Sequence, residues 1–167
     1  FWCVTVGHLA LGSAMFMINT HAIAHFVSVG FEKLTASFYL GLIGFIRIGA
    51  TIVWGTLSDR LGRDKAYGVA TAVTALGVAC LVAMSTGAPP WLIYFAVVLY
   101  GIGHSAGSPT YGAVIGDIFS GRKIGLIFGF LEISFGFGSA FGSWLGGYVF
   151  DITGSYAWPF TGCLLGY

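Results

Sequence analysis

Long apolar runs separated by short charged segments organise this chain. Residues 1–31 contain no Asp, Glu, Lys or Arg, and neither does the stretch 66–116. A helix that crosses a bilayer needs about 20 mostly apolar residues, so the first run supplies one span and the second has room for two. The segment Gly87-Ala88-Pro89-Pro90 divides the second run, because consecutive prolines end a helix.

The pattern therefore predicts six membrane-spanning helices, the last of them incomplete, with charged loops between several of them. The predicted spans cover residues 4–28, 35–57, 66–85, 91–116, 124–150 and 156–167. At a helical rise of 1.5 Å per residue, the last segment of about 12 residues covers only some 18 Å. The fold class that this predicts is an all-α membrane protein.

Composition supports the same class. Hydrophobic residues make up 57% of the 167 residues and charged residues only 8%, whereas soluble domains carry about 25% charged residues. A soluble domain, a disordered chain and a nucleic-acid binder are therefore excluded. The three cysteines are isolated in apolar runs, so neither a disulfide framework, a zinc site nor another cofactor is expected.

Basic residues in the loops predict the orientation, because cytoplasmic loops carry the excess of Lys and Arg. The segments 58–65 and 117–123 hold five of the six loop cations, and the first loop holds only Lys33. These two segments are predicted to be cytoplasmic loops, with the chain starting on the cytoplasmic side. The five cations are Arg60, Arg63, Lys65, Arg122 and Lys123.

A short pattern occurs twice. The pattern G-x-x-x-D-x-x-G spans Gly55–Gly62 after the second predicted span and Gly147–Gly154 after the fifth. Three spans separate the copies, so they lie on opposite faces of the membrane. Inverted three-span repeats are typical of secondary transporters.

The first copy resembles the loop signature of the major facilitator superfamily, G-x-x-x-D-R-x-G-R-[RK], although Asp64 displaces the last basic residue to Lys65. Two further segments, His21–Phe31 and Gly146–Tyr156, resemble parts of the C-terminal half of the oxalate/formate and monocarboxylate group. The residues that match the signature are Gly55, Asp59, Arg60, Gly62 and Arg63.

This resemblance implies a fold and a mechanism. The chain is expected to form one C-terminal six-helix half, an inverted 3+3 repeat over residues 1–167, that pairs with an N-terminal six-helix half of the same protein. The expected activity is not enzymatic: alternating-access transport of a small organic anion, a mono- or dicarboxylate, across the plasma (inner) membrane. A proton would accompany the anion, or a second anion would exchange for it. Asp59, Arg60 and Arg63 would latch the cytoplasmic side. A transporter of a non-carboxylate solute, a passive channel and a membrane scaffold subunit are the alternatives.

Two charges fall inside predicted spans, where a charge is expensive and usually functional. Arg47 lies near the middle of the second span, and Glu132 lies about 8 residues into the fifth, so their depths differ by about 3–5 Å. One interpretation is a structural salt bridge between them. The other is that Arg47 binds a substrate carboxylate in its planar fork while Glu132 couples a proton or gates the pathway.

The histidines offer further candidates. His21 and His25 share a helix face near the outer end of the first span, but H-x-x-x-H lacks the Glu of a zinc motif, so no metal is expected. His21 and His104, which lies at about the depth of Arg47, are predicted to bind substrate, and His25 to serve coupling. Helix packing is the alternative for each. His8, near the cytoplasmic end, is assigned to packing.

Proline and glycine complete the candidate set. Pro109 removes a backbone donor and should kink the fourth span beside His104, either as a gating bend or as a static kink. The fifth span carries glycines at four-residue spacing, which predicts close helix packing, including packing against the N-terminal half. These glycines are Gly125, Gly129, Gly138, Gly142 and Gly146.

Overall fold

The computed structural model describes residues 1–119, 121 and 123–167, and within these ranges the regular structure is α-helical throughout. Arg122, one of the cations assigned to a cytoplasmic loop, lies outside the described residues. The helices are α1 (Trp2–Ser28), α2 (Lys33–Leu61), α3 (Arg63–Ser85), α4 (Leu92–His104), α5 (Gly107–Ile118), α6 (Ile124–Thr153) and α7 (Ala157–Cys163).

Four of these helices, α1, α2, α3 and α6, are long and apolar enough to cross a membrane. Each coincides with a predicted span. The fourth predicted span, 91–116, was expected as one helix with a kink at Pro109 and is divided into α4 and α5. The short α7 falls in the predicted sixth span.

The break between α4 and α5 has a local cause. Pro109 has no N–H, so the Ser105 carbonyl lacks the donor that would continue the helix. One turn earlier, Ala106 N–H bonds to the Gly103 carbonyl at 3.3 Å, which leaves the Ile102 carbonyl without its i+4 donor. The break therefore begins one turn before the proline that the sequence singles out.

Side chains compensate for the break. The Trp54 indole Nε1–H and the Ser105 hydroxyl both donate to Ile102 O, at 2.7 and 2.6 Å. The Thr51 hydroxyl donates to Arg47 O at 2.7 Å and lies 3.4 Å from Ser105 O. Because an unsatisfied buried carbonyl costs about 1–3 kcal/mol, these contacts stabilise a discontinuity that hydrocarbon alone would not tolerate.

The charged segment 58–65, expected as a loop, is almost entirely helical. The structure continues α2 to Leu61 and starts α3 at Arg63, with Gly62 as the only link at φ 89°. The second copy of the repeated pattern also ends a helix at a glycine of positive φ, Gly154 at 68°. Glycine adopts this conformation without a Cβ clash, so the repeated pattern marks two sharp helix ends.

Glycines on one face of α6 bring it against α1. A Cβ added at Gly138 would contact the Leu9 backbone, and one added at Gly142 would contact the Ser13 backbone. At Gly146 it would lie 2.7 Å from His21 Cδ2. These three glycines therefore pack within the chain, against α1.

Two other α6 glycines behave differently. A Cβ at Gly125 or Gly129 would meet no described atom within 4 Å. The α6 glycines at four-residue spacing therefore fall into two groups. Gly138, Gly142 and Gly146 pack against α1, whereas Gly125 and Gly129 meet no described atom.

The packed glycines have a measurable consequence. We expect Gly142→Ala in the full-length protein to lower the free energy of unfolding by about 1–3 kcal/mol, because the new methyl meets backbone that cannot move aside cheaply. Unfolding in mixed detergent micelles, followed by circular dichroism, measures this change.

Gly129→Ala, on the same helix, is the matched control. It should leave stability unchanged or raise it by up to about 1 kcal/mol, since alanine is the better helix former. Equal losses in both variants would contradict the assigned packing.

Candidate functional site

Five helices line a cavity of about 380 Å³. It lies beside Arg47, the middle residue of α2, and aromatic and apolar side chains form much of its wall. The lining residues are His8, Leu11, Met15, Arg47, His104, Gly107, Tyr111, Gly112, Phe128, Glu132 and Phe135. Convergence of a few polar groups in an apolar-walled cavity is typical of a small-molecule site.

The two intramembrane charges both line this cavity. Arg47 on α2 is half-buried, and Glu132 on α6 is exposed toward the open space. Among the described residues, the ion pairs within 4.0 Å do not include these two. The cavity therefore presents a cation and a carboxylate that do not neutralise each other by direct contact.

His104 reaches the cavity from the last residue of α4, directly before the break. Its side chain is buried, and its ring stacks parallel on Tyr100 at a centroid distance of 5.2 Å. The Tyr167 hydroxyl lies 3.3 Å from His104 Nδ1. These two contacts fix the orientation of the ring. Because Tyr167 occupies Nδ1, Nε2 is the ring nitrogen that is left for a further hydrogen bond.

The histidines His21 and His25 lie away from this cavity. His21 Nε2 is 2.9 Å from the Ser143 carbonyl in the α1–α6 interface. His25 is fully buried, with its ring centroid 5.0 Å from that of Phe160. Within the described ranges, no group of three or more His, Cys, Asp or Glu residues is placed to hold a metal ion.

His8 is the residue whose position the sequence interpretation did not anticipate. It is 5% exposed, its ring centroid lies 4.1 Å from that of Tyr111 and 4.9 Å from that of Phe135, and it lines the cavity. Its Nδ1 is buried with no hydrogen-bond partner among the described residues. Its spacing of three and seven residues from Leu11 and Met15 is the sequence signal that places them on one helix face.

Pro109 lies beside α2 rather than in the cavity wall. A Cβ added at Gly55 would be 4.0 Å from the Pro109 Cβ, an ordinary van der Waals distance, so α5 packs beside α2 at this position. The first glycine of the loop signature and the kink-forming proline therefore meet at one helix contact.

The remaining signature residues form an ion cluster at the helix ends. Arg63, at the start of α3, donates from Nε to Asp117 Oδ2 and from Nη1 to Asp59 Oδ1 at 3.4 Å. Asp117 lies near the end of α5 and was not among the predicted site residues. Arg60 is exposed. One guanidinium thus connects the ends of α2, α3 and α5, although exposed pairs contribute only about 0–1 kcal/mol each.

Comparison with known families gives a match over nearly the whole chain. The sequence model described as Major Facilitator Superfamily matches residues 2–166.

Individual proteins are more distantly similar. Magnetosome protein MamZ of Magnetospirillum gryphiswaldense is 27% identical over 95% of the chain. Multidrug resistance protein MdtH of Photorhabdus laumondii is 28% identical over 75% of the chain, and Monocarboxylate transporter 13 of Rattus norvegicus is 26% identical over 93%. The matched regions cover 22%, 31% and 36% of these three relatives, respectively.

The Trp54 indole is one of two donors to the Ile102 carbonyl, the other being the Ser105 hydroxyl at 2.6 Å, and a substitution tests its contribution. We expect Trp54→Phe to lower the free energy of unfolding of the full-length protein by about 0.5–1.5 kcal/mol, because the Ile102 carbonyl loses one of its two hydrogen bonds. Detergent unfolding monitored by circular dichroism measures the loss.

Trp144→Phe is the control, since Trp144 is 59% exposed on α6. We expect it to change stability by less than about 0.5 kcal/mol. If Trp54→Phe is equally silent, the indole does not stabilise the break.

Proposed function

The chain belongs to the Major Facilitator Superfamily, and on that premise we propose that it is the C-terminal six-helix half of a secondary active transporter for a small organic anion. The family's members are bilayer-embedded transporters of small solutes. The chain is therefore an integral membrane transport protein and not an enzyme. The proposed location is the plasma (inner) membrane.

The proposed topology has α4 and α5 as one broken crossing. Contacts between α1 and α6 advance in the same direction along both helices, from Leu9 with Gly138 to Ser13 with Gly142. The two helices therefore run parallel, which fits four crossings from α1 through the α4–α5 pair, followed by α6. Together with α7 this supports six crossings as an inverted 3+3 repeat, with an N-terminal half completing the site.

The observation that carries the proposed substrate class is the position of Arg47. Its guanidinium lies at the middle of α2 in an apolar-walled cavity without an ion pair to Glu132. A charge at that depth is costly unless it meets an opposite charge. A planar guanidinium binds a carboxylate in bidentate fashion, so a mono- or dicarboxylate is the proposed ligand, with His104 as a hydrogen-bond partner.

Glu132 then supplies the coupling. In the empty site, Arg47 and ionised Glu132 sum to zero charge. When an anionic carboxylate binds Arg47, protonation of Glu132 restores zero charge to the loaded site. Reorientation through hydrocarbon is favoured for a neutral site over a charged one. This supports proton symport, and anion exchange is the same cycle run without release of the proton.

The other predicted residues take their proposed places around this cycle. Pro109 supplies the bend between α4 and α5 that would move during alternating access. Asp59, Arg60 and Arg63 would latch the cytoplasmic ends, with Asp117 as a further partner of Arg63. His21 and His25 pack outside the cavity, and the proposed cycle does not use them.

A non-carboxylate solute is the second candidate substrate. Similarity to Multidrug resistance protein MdtH favours it, as does the aromatic wall formed by Tyr111, Phe128 and Phe135. Uptake that depends on these rings and not on Arg47 would favour that alternative.

The substrate assignment predicts the effect of removing the guanidinium. In proteoliposomes holding the full-length transporter, Arg47→Gln should reduce saturable uptake of labelled pyruvate by about 10- to 100-fold, the loss expected for a charge-assisted hydrogen-bonded pair. Lys33→Gln, an exposed cation at the start of the same helix, is the matched control and should transport normally. Unchanged uptake by the folded Arg47 variant would contradict carboxylate binding there.

The coupling assignment predicts a separation of two activities. Glu132→Gln keeps the site permanently uncharged at that position, so pyruvate accumulation driven by a pH gradient should fall to background. Exchange of labelled for unlabelled pyruvate at equal pH should persist, because it needs no proton release.

Asp151→Asn, an exposed carboxylate on the same helix, should retain both activities. Gradient-driven accumulation by Glu132→Gln at the wild-type rate would assign the proton to another residue.

A further inference from the structure

We propose that His8 is the second member of the proton-binding pair, holding by hydrogen bond the proton that Glu132 takes up. This inference rests on the proposed function and adds to it a residue that the sequence interpretation had assigned to packing. The His8–Glu132 pair binds a proton, and His8 acts by holding that proton in position.

The first support is an unsatisfied nitrogen. His8 is 95% buried, and its Nδ1 has no partner among the described residues although the ring lines a cavity of about 380 Å³. A buried polar atom left without a hydrogen bond costs about 1–3 kcal/mol. Such an atom beside an open cavity is explained if a state of the working site supplies the missing partner.

The second support is the register of α1 against α6. The His8 ring contacts Phe135 of α6, and Glu132 precedes Phe135 by three residues, which places the two on the same helix face. Both Glu132 and His8 line the one cavity. The carboxyl group therefore lies about one helical turn from the residue that touches the imidazole.

The third support is the set of charged and titratable groups on the other elements around His8. Arg47 on α2 and His104 on α4 line the same cavity. Tyr111 on α5 contacts the ring, but its hydroxyl already donates to Val4 O at 2.7 Å. Since Arg47 supplies the positive charge, a neutral imidazole with a free acceptor is the form that the pair needs, and Glu132 is the carboxylic acid that shares the cavity with it.

The proton balance is simple. A proton from water binds a carboxylate oxygen of Glu132, and the resulting O–H donates to His8 Nδ1, while the anion binds Arg47. On the other side the anion leaves, the Glu132 O–H bond breaks, and the proton returns to water. His8 is unchanged at the end of the cycle, and its hydrogen bond favours the protonated form of Glu132 while the site is loaded.

Two variants of His8 test this role in the full-length transporter. His8→Leu removes the acceptor, whereas His8→Asn places an amide oxygen near the position of Nδ1. In proteoliposomes with labelled pyruvate as the probe, His8→Leu should lower pH-gradient-driven accumulation at least about tenfold. Equilibrium exchange at an equal, low pH on both sides should stay within about twofold of wild type, because the loaded site then stays protonated without the His8 hydrogen bond and exchange needs no proton release.

The conservative variant supplies the discriminating result. His8→Asn should restore accumulation to within about threefold of wild type, since the acceptor is retained. In addition, the pH midpoint of accumulation should shift to lower pH in His8→Leu and return in His8→Asn. Val6→Leu, at an exposed position of the same helix outside the cavity, is the matched control and should leave the pH profile unchanged.

The outcomes separate the two proposals. Exchange that depends on Arg47, together with accumulation that His8→Leu does not alter, would overturn the His8 assignment and leave the proposed function standing. Equal loss of exchange and accumulation in both folded His8 variants would also overturn it, because that result indicates a structural role. Absence of Arg47-dependent pyruvate transport in the wild-type protein would overturn the proposed function and the pair with it.

Discussion

Hydrocarbon offers no hydrogen bonds and little stabilisation of charge, and this constraint governs the whole structure. Continuous helices satisfy it for most of the backbone. Where the backbone is discontinuous, between α4 and α5, Trp54 and Thr51 of α2 reach the carbonyls left without helical donors. Arg47, Glu132 and the unpartnered His8 Nδ1 line one cavity, whereas the other buried atoms without partners among the described residues, His25 Nε2, Ser58 Oγ and Thr110 Oγ1, lie outside it. In the proposed mechanism, a solute and a proton supply the partners of the three cavity groups.

Close packing places these groups. Glycines on one face of α6 let it lie directly against the α1 backbone, and that contact sets the register between His8 and Glu132. The α4–α5 break places His104 at a helix end, where Tyr100 and Tyr167 hold its ring. Stability and site geometry therefore depend on the same contacts, so a change in packing far from the cavity would also alter the site.

Much of the fold could be predicted from the sequence because each membrane span is encoded by one continuous run of residues. Long apolar stretches located α1, α2, α3 and α6, and the loop signature that begins at Gly55 indicated the family that the comparison then confirmed. The segment 58–65 was wrongly expected to be a loop, because the composition of a charged helix end is the same as that of a charged loop. The kink predicted at Pro109 within 91–116 is a complete break that begins one turn earlier, because its extent depends on whether carbonyls find donors elsewhere.

The site was less predictable, for a related reason. Arg47 and Glu132 are conspicuous as charges in apolar runs, but whether they pair is a tertiary property. His8 looked like a packing residue until the register of α1 on α6 placed it beside the cavity. Asp117 belongs with Arg63 only because α5 ends next to the start of α3. Each of these contacts joins residues that are far apart in the sequence.

In the proposed mechanism, one anion and one proton cross the membrane together, and the loaded site has no net charge when it reorients. The most direct test is to measure pyruvate influx and internal acidification together in proteoliposomes holding the full-length transporter and an entrapped pH-sensitive dye. We expect about one proton for each pyruvate, with a rate that does not change when a membrane potential is imposed. Uptake that accelerates with an inside-positive potential and brings in no protons would contradict the account.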